Sequence, residues 1–309
     1  MTITTLPQPE QADPTVLKVN RSPSGMETKQ HLSLRVSCGG GDRGASFIAH
    51  QYATYPFRLS GNLRLDPTDP HRVYAYIMNA GPGILAGDDL RLALQVGEGA
   101  SIYLTDQSAT KVHSRPQGGP KANQTWTMAV GANAYVEYVP EPVILFAAAD
   151  FTQGMNITLH PQGRLVLGEI IVPGRLARGE FYEFERFQSR LRVETPDGLL
   201  CFADNQLLWG QSAGQSNRFR HSPFLAELPI MGNFVVVVPG VVLTQLTQVL
   251  QTYELSPGLR VGHSTLPGCN GILVRAIATQ VSLIKQYQHH LLNCVRQLTG
   301  QPPLPDIPK

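Results

Sequence analysis

Two carboxylates in this chain stand where strand alternation would turn them inward, and they have the clearest chemical prospects. Asp106 is in phase with Ile102 and Leu104, and Glu169 is in phase with Leu165 and Leu167. An acid on an apolar face is costly unless it is paired, hydrogen-bonded or set against an internal water-filled space. A bulge at Gly168 is the competing possibility and would turn Glu169 to solvent. Just beyond, Pro173-Gly174-Arg175-Leu176-Ala177-Arg178-Gly179-Glu180 adds two cations and another acid, which could equally form a salt-bridged turn.

Other chemistry is weaker. Gly81-x-Gly83-x-x-Ala86 has the outline of a dinucleotide loop, which needs a helix directly after it to receive the pyrophosphate. Here Leu90 to Val96 alternates as a strand, and Asp88 and Asp89 would repel a phosphate. Gly210-Gln211-Ser212-Ala213-Gly214 has the shape of a nucleophile elbow, but no apolar helical stripe follows it. Two acids could serve a glycosidase, yet aromatic content is only 7% with two tryptophans, too few for sugar stacking platforms. A carboxylate-based hydrolase on a β-sandwich stays as the enzyme alternative. His289 and His290 are adjacent on a helix, about 100° apart around its axis, so they cannot easily grip one ion. Cys38, Cys201, Cys269 and Cys294 show neither zinc spacing nor a disulfide framework.

The elements that must position these acids are mostly strands. Leu90, Leu92, Leu94 and Val96 alternate with polar residues, turn at Gly97-Glu98-Gly99, and resume at Ala100, Ile102 and Leu104. The same unit returns around Gly131-Ala132-Asn133 and again around Pro161-Gln162-Gly163. Turns about 30 to 34 residues apart suit stacked repeats better than a single hairpin array. The expectation is an all-β, β-helical or solenoid-like body of layered sheets, with an ordinary sandwich as the other possibility. Two helices are predicted late: one on Val242, Leu243, Leu246, Val249 and Leu250, the other from about Thr279 to Leu298. Between them, Leu259 to Leu266 and Gly271 to Ile277 read as strands.

Composition sets the outer limits. A net charge of +2 with 16% charged residues argues against a nucleic-acid surface or an acidic solvating chain. No apolar run is long enough to span a bilayer, and no basic-then-apolar leader opens the chain, so a cytoplasmic location is expected. Residues 1–27 read as a disordered arm, 28–300 as one domain and 301–309 as an irregular Pro-rich tail.

Six segments in order resemble the urease accessory protein UreD (UreH) family. They are Tyr55-Pro56-Phe57-Arg58-Leu59, Gly83 to Asp88, Leu104 to Val112, Pro140 to Phe146, Gly168-Glu169 with Gly174-Arg175 and Gly179-Glu180, and Leu266-Pro267-Gly268 with Gly271 to Arg275. The resemblance implies a non-enzymatic scaffold that acts with UreF and the GTPase UreG on urease apoprotein. It implies nickel carried transiently through a polar internal passage, with no tightly bound cofactor. Carried onto this chain, the passage residues are Asp88, Glu169 and Glu180, with Arg175 as charge partner. Asp106 joins them on strand phase alone.

Overall fold

The alternating segments become strands because each has one apolar face, and such faces bury best against one another. The computed structural model describes residues 29–40, 44–66, 69, 71–211 and 217–308. The arm expected over residues 1–27 lies outside the described residues, as does the Ser212-Ala213-Gly214 part of the nucleophile-elbow match.

The chain opens with β1 (Leu32–Cys38), β2 (Ser46–Ala53), β3 (Phe57–Leu59) and β4 (Arg72–Asn79). Then come β5 (Asp89–Val96), β6 (Ser101–Asp106), β7 (Thr110–Val112), β8 (Ala122–Val130), β9 (Tyr135–Tyr138) and β10 (Val143–Leu145). These are followed by β11 (Asp150–Leu159), β12 (Arg164–Val172), β13 (Arg186–Glu194), β14 (Leu200–Trp209) and β15 (Ile230–Val237). Helix α1 (Leu243–Leu250), β16 (Leu259–Thr265), β17 (Gly271–Ala278) and helix α2 (Val281–Leu298) complete the set.

Two mixed sheets result. One has the order β14-β13-β11-β8-β5-β1-β2, and the other runs β16-β17-β15-β12-β9-β6-β4-β3, with β10 beside β12 and β7 beside β10. In the middle of the chain the longer strands alternate between the two sheets, the short β7 and β10 staying in the second. Thus β5, β8, β11 and β13 lie parallel in the first sheet, while β6, β9 and β12 lie parallel in the second. The recurrence seen in the sequence is this register: Leu92 sits beside Trp126, Trp126 beside Met155, and Met155 beside Leu191. The inward faces make one core, in which Leu34, Leu94, Ile102, Met128, Val136 and Leu165 are fully or almost fully buried. Each such side chain contributes roughly 1.5–3 kcal/mol relative to exposure.

The helices cover the outer face of the second sheet and make another core. Ile284, Tyr287, Leu291 and Val295 of α2 are buried with Phe234, Val236, Val274 and Ala276 of the sheet. Residues 301–308 have no regular structure, and Leu304 and Ile307 pack on this layer.

Charges are buried here too. Glu137 accepts hydrogen bonds from Arg296 Nε at 2.9 Å and Arg72 Nη1 at 3.1 Å, and all three side chains are 0% exposed. Arg72 also donates to Asp69 at 2.9 Å and to Gln301 Oε1 at 2.8 Å, and it lies over the Tyr135 ring. Burial alone would lift the Glu137 carboxyl, but Arg72 and Arg296 more than offset that and hold it below the usual range.

Candidate functional site: a polar cavity between the sheets

The core between the sheets is interrupted at one place by polar side chains. They surround a cavity of about 100 Å³, room for several water molecules. Each comes from an inward strand position where a polar residue replaces an apolar one. Gln153 follows Phe151 and precedes Met155 on β11, Ser189 lies between Phe187 and Leu191 on β13, and Asn233 lies between Met231 and Val235 on β15. Asp106, Gln124, Glu169 and Asp204 occupy matching places on β6, β8, β12 and β14. Trp126 and Tyr138, with ring centroids 4.9 Å apart, form an aromatic wall.

Glu169 is central to this arrangement. The β12–β15 register runs unbroken from Leu165 opposite Val237 to Ile171 opposite Met231, so no bulge turns Glu169 outward. Its Oε1 accepts from Ser189 Oγ at 2.9 Å and from Gln153 Nε2, and its Oε2 accepts from Asn233 Nδ2 at 2.7 Å. All three donors are neutral. Burial raises the carboxyl above its ordinary value, the bonds from Asn233 and Ser189 restrain the rise, and Asp204 adds to it while Arg275 subtracts. Asp106 lines the same cavity, and both acids act on the buried Tyr138 phenol, which burial already pushes upward.

Arg275 of β17 stands beside the cavity wall. It donates to both oxygens of Asp204 at 2.8 and 2.9 Å and to Asn233 Oδ1 at 3.3 Å, linking the two sheets.

Other expected site residues lie elsewhere. Asp88 accepts the Leu85 N–H at 2.8 Å and so shapes its own loop. Glu180 accepts from Arg175 Nε at 2.9 Å and from the Arg175 backbone N–H at 3.1 Å, which makes a salt-bridged turn. That pairing holds the Glu180 carboxyl low. Neither residue lines the cavity. Gln153, Ser189, Asp204 and Asn233 were missed, although the strand phase that selects Asp106 and Glu169 selects them too.

Among the described residues no group of three or more His, Cys, Asp or Glu side chains is close enough to hold a metal ion. No described helix is long and apolar enough to cross a membrane.

Fold and site define the class: a mostly-β protein of two mixed sheets and two helices, with acids facing a cavity between the sheets. A family model described as UreD urease accessory protein matches residues 28–309. The urease accessory protein UreD of Trichodesmium erythraeum is 44% identical over 281 residues, covering 90% of this chain and 99% of that relative. That of Haloarcula marismortui is 33% identical over 242 residues, 78% of each chain. Urease accessory protein UreD 2 of Streptomyces griseus is 29% identical over 267 residues, covering 86% of this chain and 89% of the relative. The chain belongs to the UreD family of urease accessory proteins. Members of that family are non-catalytic chaperones of urease maturation, which sets aside the hydrolase alternative.

Proposed function

We propose that this chain is a scaffold that works with UreF, UreG and urease apoprotein, and that Ni²⁺ moves through the cavity between its sheets. The observation that carries this reading is Glu169, an interior carboxylate contacted by neutral donors only. A carboxylate with no cation in contact attracts one, and Asp106 lines the same space, as does Asp204, which is paired with Arg275. Oxygen ligands offered singly, without thiolate or paired imidazole, hold Ni²⁺ weakly, and weak successive sites suit transfer better than a closed cage. The parallel alternation of β5 through β12 supports a wound, solenoid-like middle within the single domain expected over residues 28–300, with this cavity beside it. Asp88 and the Arg175–Glu180 pair are tied into their own turns, so the interior step narrows to Asp106 and Glu169.

The elevated Glu169 carboxyl gives the step a proton dependence. As pH falls through its folded-state value the carboxyl takes up a proton and gives up the ion. Urease matured in cells with Glu169→Ala in place of the parent chain should contain much less nickel, while UreF still co-purifies with the variant. Unchanged nickel content would remove the cavity from the route.

A further inference from the structure

The ten-stranded sheet has a gap beside the cavity. Strand β9 pairs with β12 from Arg164 to Leu167, and β10 resumes that flank only at Ile171 and Val172. Between them Gly168, Glu169 and Ile170 face the connection Val139-Pro140-Glu141-Pro142. Two prolines in four residues leave it short of the N–H groups a ladder needs. The connection is tied instead to its other side, where Val139 N–H donates to Leu104 O and Thr110 N–H to Pro142 O, both at 2.9 Å.

Three side chains converge on this gap. Glu141 is 7% exposed and lines both the inter-sheet cavity and a separate surface groove under α2 and residues 304–307. Lys285 of α2 donates to Glu141 Oε2, with 40% of its own side chain exposed. Gln288, one helical turn further on and 6% exposed, has a buried Nε2 with no hydrogen-bond partner. That nitrogen would lie 3.0 Å from a Cβ added at Gly168. A buried, unpartnered amide aimed at a gap in a sheet points to a polar occupant. Turning the amide over would present Oε1, an acceptor suited to a cation.

We propose that this gap is a portal through the sheet, in which a divalent cation passes from Glu169 to Glu141 and out to the α2 groove by displacing Lys285. The inference rests on the passage reading given above. The exchange keeps the buried Glu141 carboxylate paired throughout, first with an ammonium and then with the ion, so an uncompensated buried charge never forms. Lys285 can leave because the exposed part of its side chain reaches solvent. Asp306 and His289 line the groove beyond.

The test compares urease nickel content in cells making Glu141→Gln, Lys285→Gln, Gly168→Val or Glu169→Ala, with UreF co-purification and melting temperature as checks on folding. The portal requires a several-fold loss from Glu141→Gln and no loss from Lys285→Gln, because only the first removes a ligand. Equal losses from both partners would make the pair a structural tie and overturn the gate. Gly168→Val should block loading by filling the gap; if it fails to fold, the glutamine pair decides alone. Normal loading in Glu141→Gln alongside a loss in Glu169→Ala would overturn the portal and leave the passage standing. Normal loading in both would remove the passage as well.

Discussion

Glu137 and Glu169 are both interior carboxylates on strands of the same sheet, and they do opposite things. Glu137 faces the helix layer, where Arg72 and Arg296 close on it and Asp69 balances the count at two cations and two anions. Glu169 faces the other sheet, where Gln153, Ser189 and Asn233 supply hydrogen bonds but no charge. Burial raises both carboxyls; only at Glu137 do guanidinium groups reverse the shift. The presence of a countercharge separates a carboxylate that ties elements together from one still available to a cation.

The comparison breaks most readily at Glu137. Glu137→Gln should cost about 3–5 kcal/mol in urea unfolding, because it leaves Arg72 and Arg296 buried with too little negative charge. A loss under about 1 kcal/mol would show that the trio is not a tie. Replacing the cluster together, as Asp69→Asn, Arg72→Met, Glu137→Leu and Arg296→Met, should restore most of that loss, since uncharged side chains of similar volume often substitute well for buried ion pairs and no buried charge is then left without its partner.

Glu169→Gln should have the reverse sign, leaving the melting temperature at neutral pH equal to or above that of the parent chain. The pH dependence sharpens the contrast. Glu169 titrates higher when folded, so the parent chain loses stability as pH rises from the ordinary carboxylate value of 4.5 through the folded one, and the glutamine variant escapes that loss. Glu137 titrates lower when folded, so its contribution is present at neutral pH and is lost as pH falls below 4.5 through its folded value. Thermal melts from about pH 2 to about pH 8, in steps on the order of one unit, on the parent chain and both variants would reveal any failure of these opposite slopes. The smallest effect belongs to Arg275→Gln. Its pair with Asp204 is 47% and 27% exposed, so it should change stability by under about 1 kcal/mol by denaturant titration.

Much of this was legible in the sequence because local periodicity is a local property. The strand Leu90 to Val96, the helix stripe Ile284-Tyr287-Leu291-Val295 and the strands on either side of Pro267-Gly268 all fall where alternation or helical spacing puts them. Phase also turned Asp106 and Glu169 inward. It did not show which strands would be neighbours, so the convergence of Gln153, Ser189 and Asn233 on Glu169 was out of reach. Proximity along the chain misled in the other direction: Glu180 is near Glu169 in sequence, yet its short turn hands it to Arg175. The Arg72–Glu137–Arg296 trio had no local signature, since its members come from β4, β9 and α2.

That wide separation has a consequence for biosynthesis. Arg72 and Glu137 leave the ribosome long before Arg296 does, and until α2 arrives two carboxylates, Asp69 and Glu137, must share one guanidinium. The outer face of the ten-stranded sheet, with Phe234, Val236 and Val274, also lacks its helical cover during that interval. A nascent chain stalled before α2 therefore displays a sticky, charge-imbalanced surface, and late translation is the period when it most needs protection from aggregation.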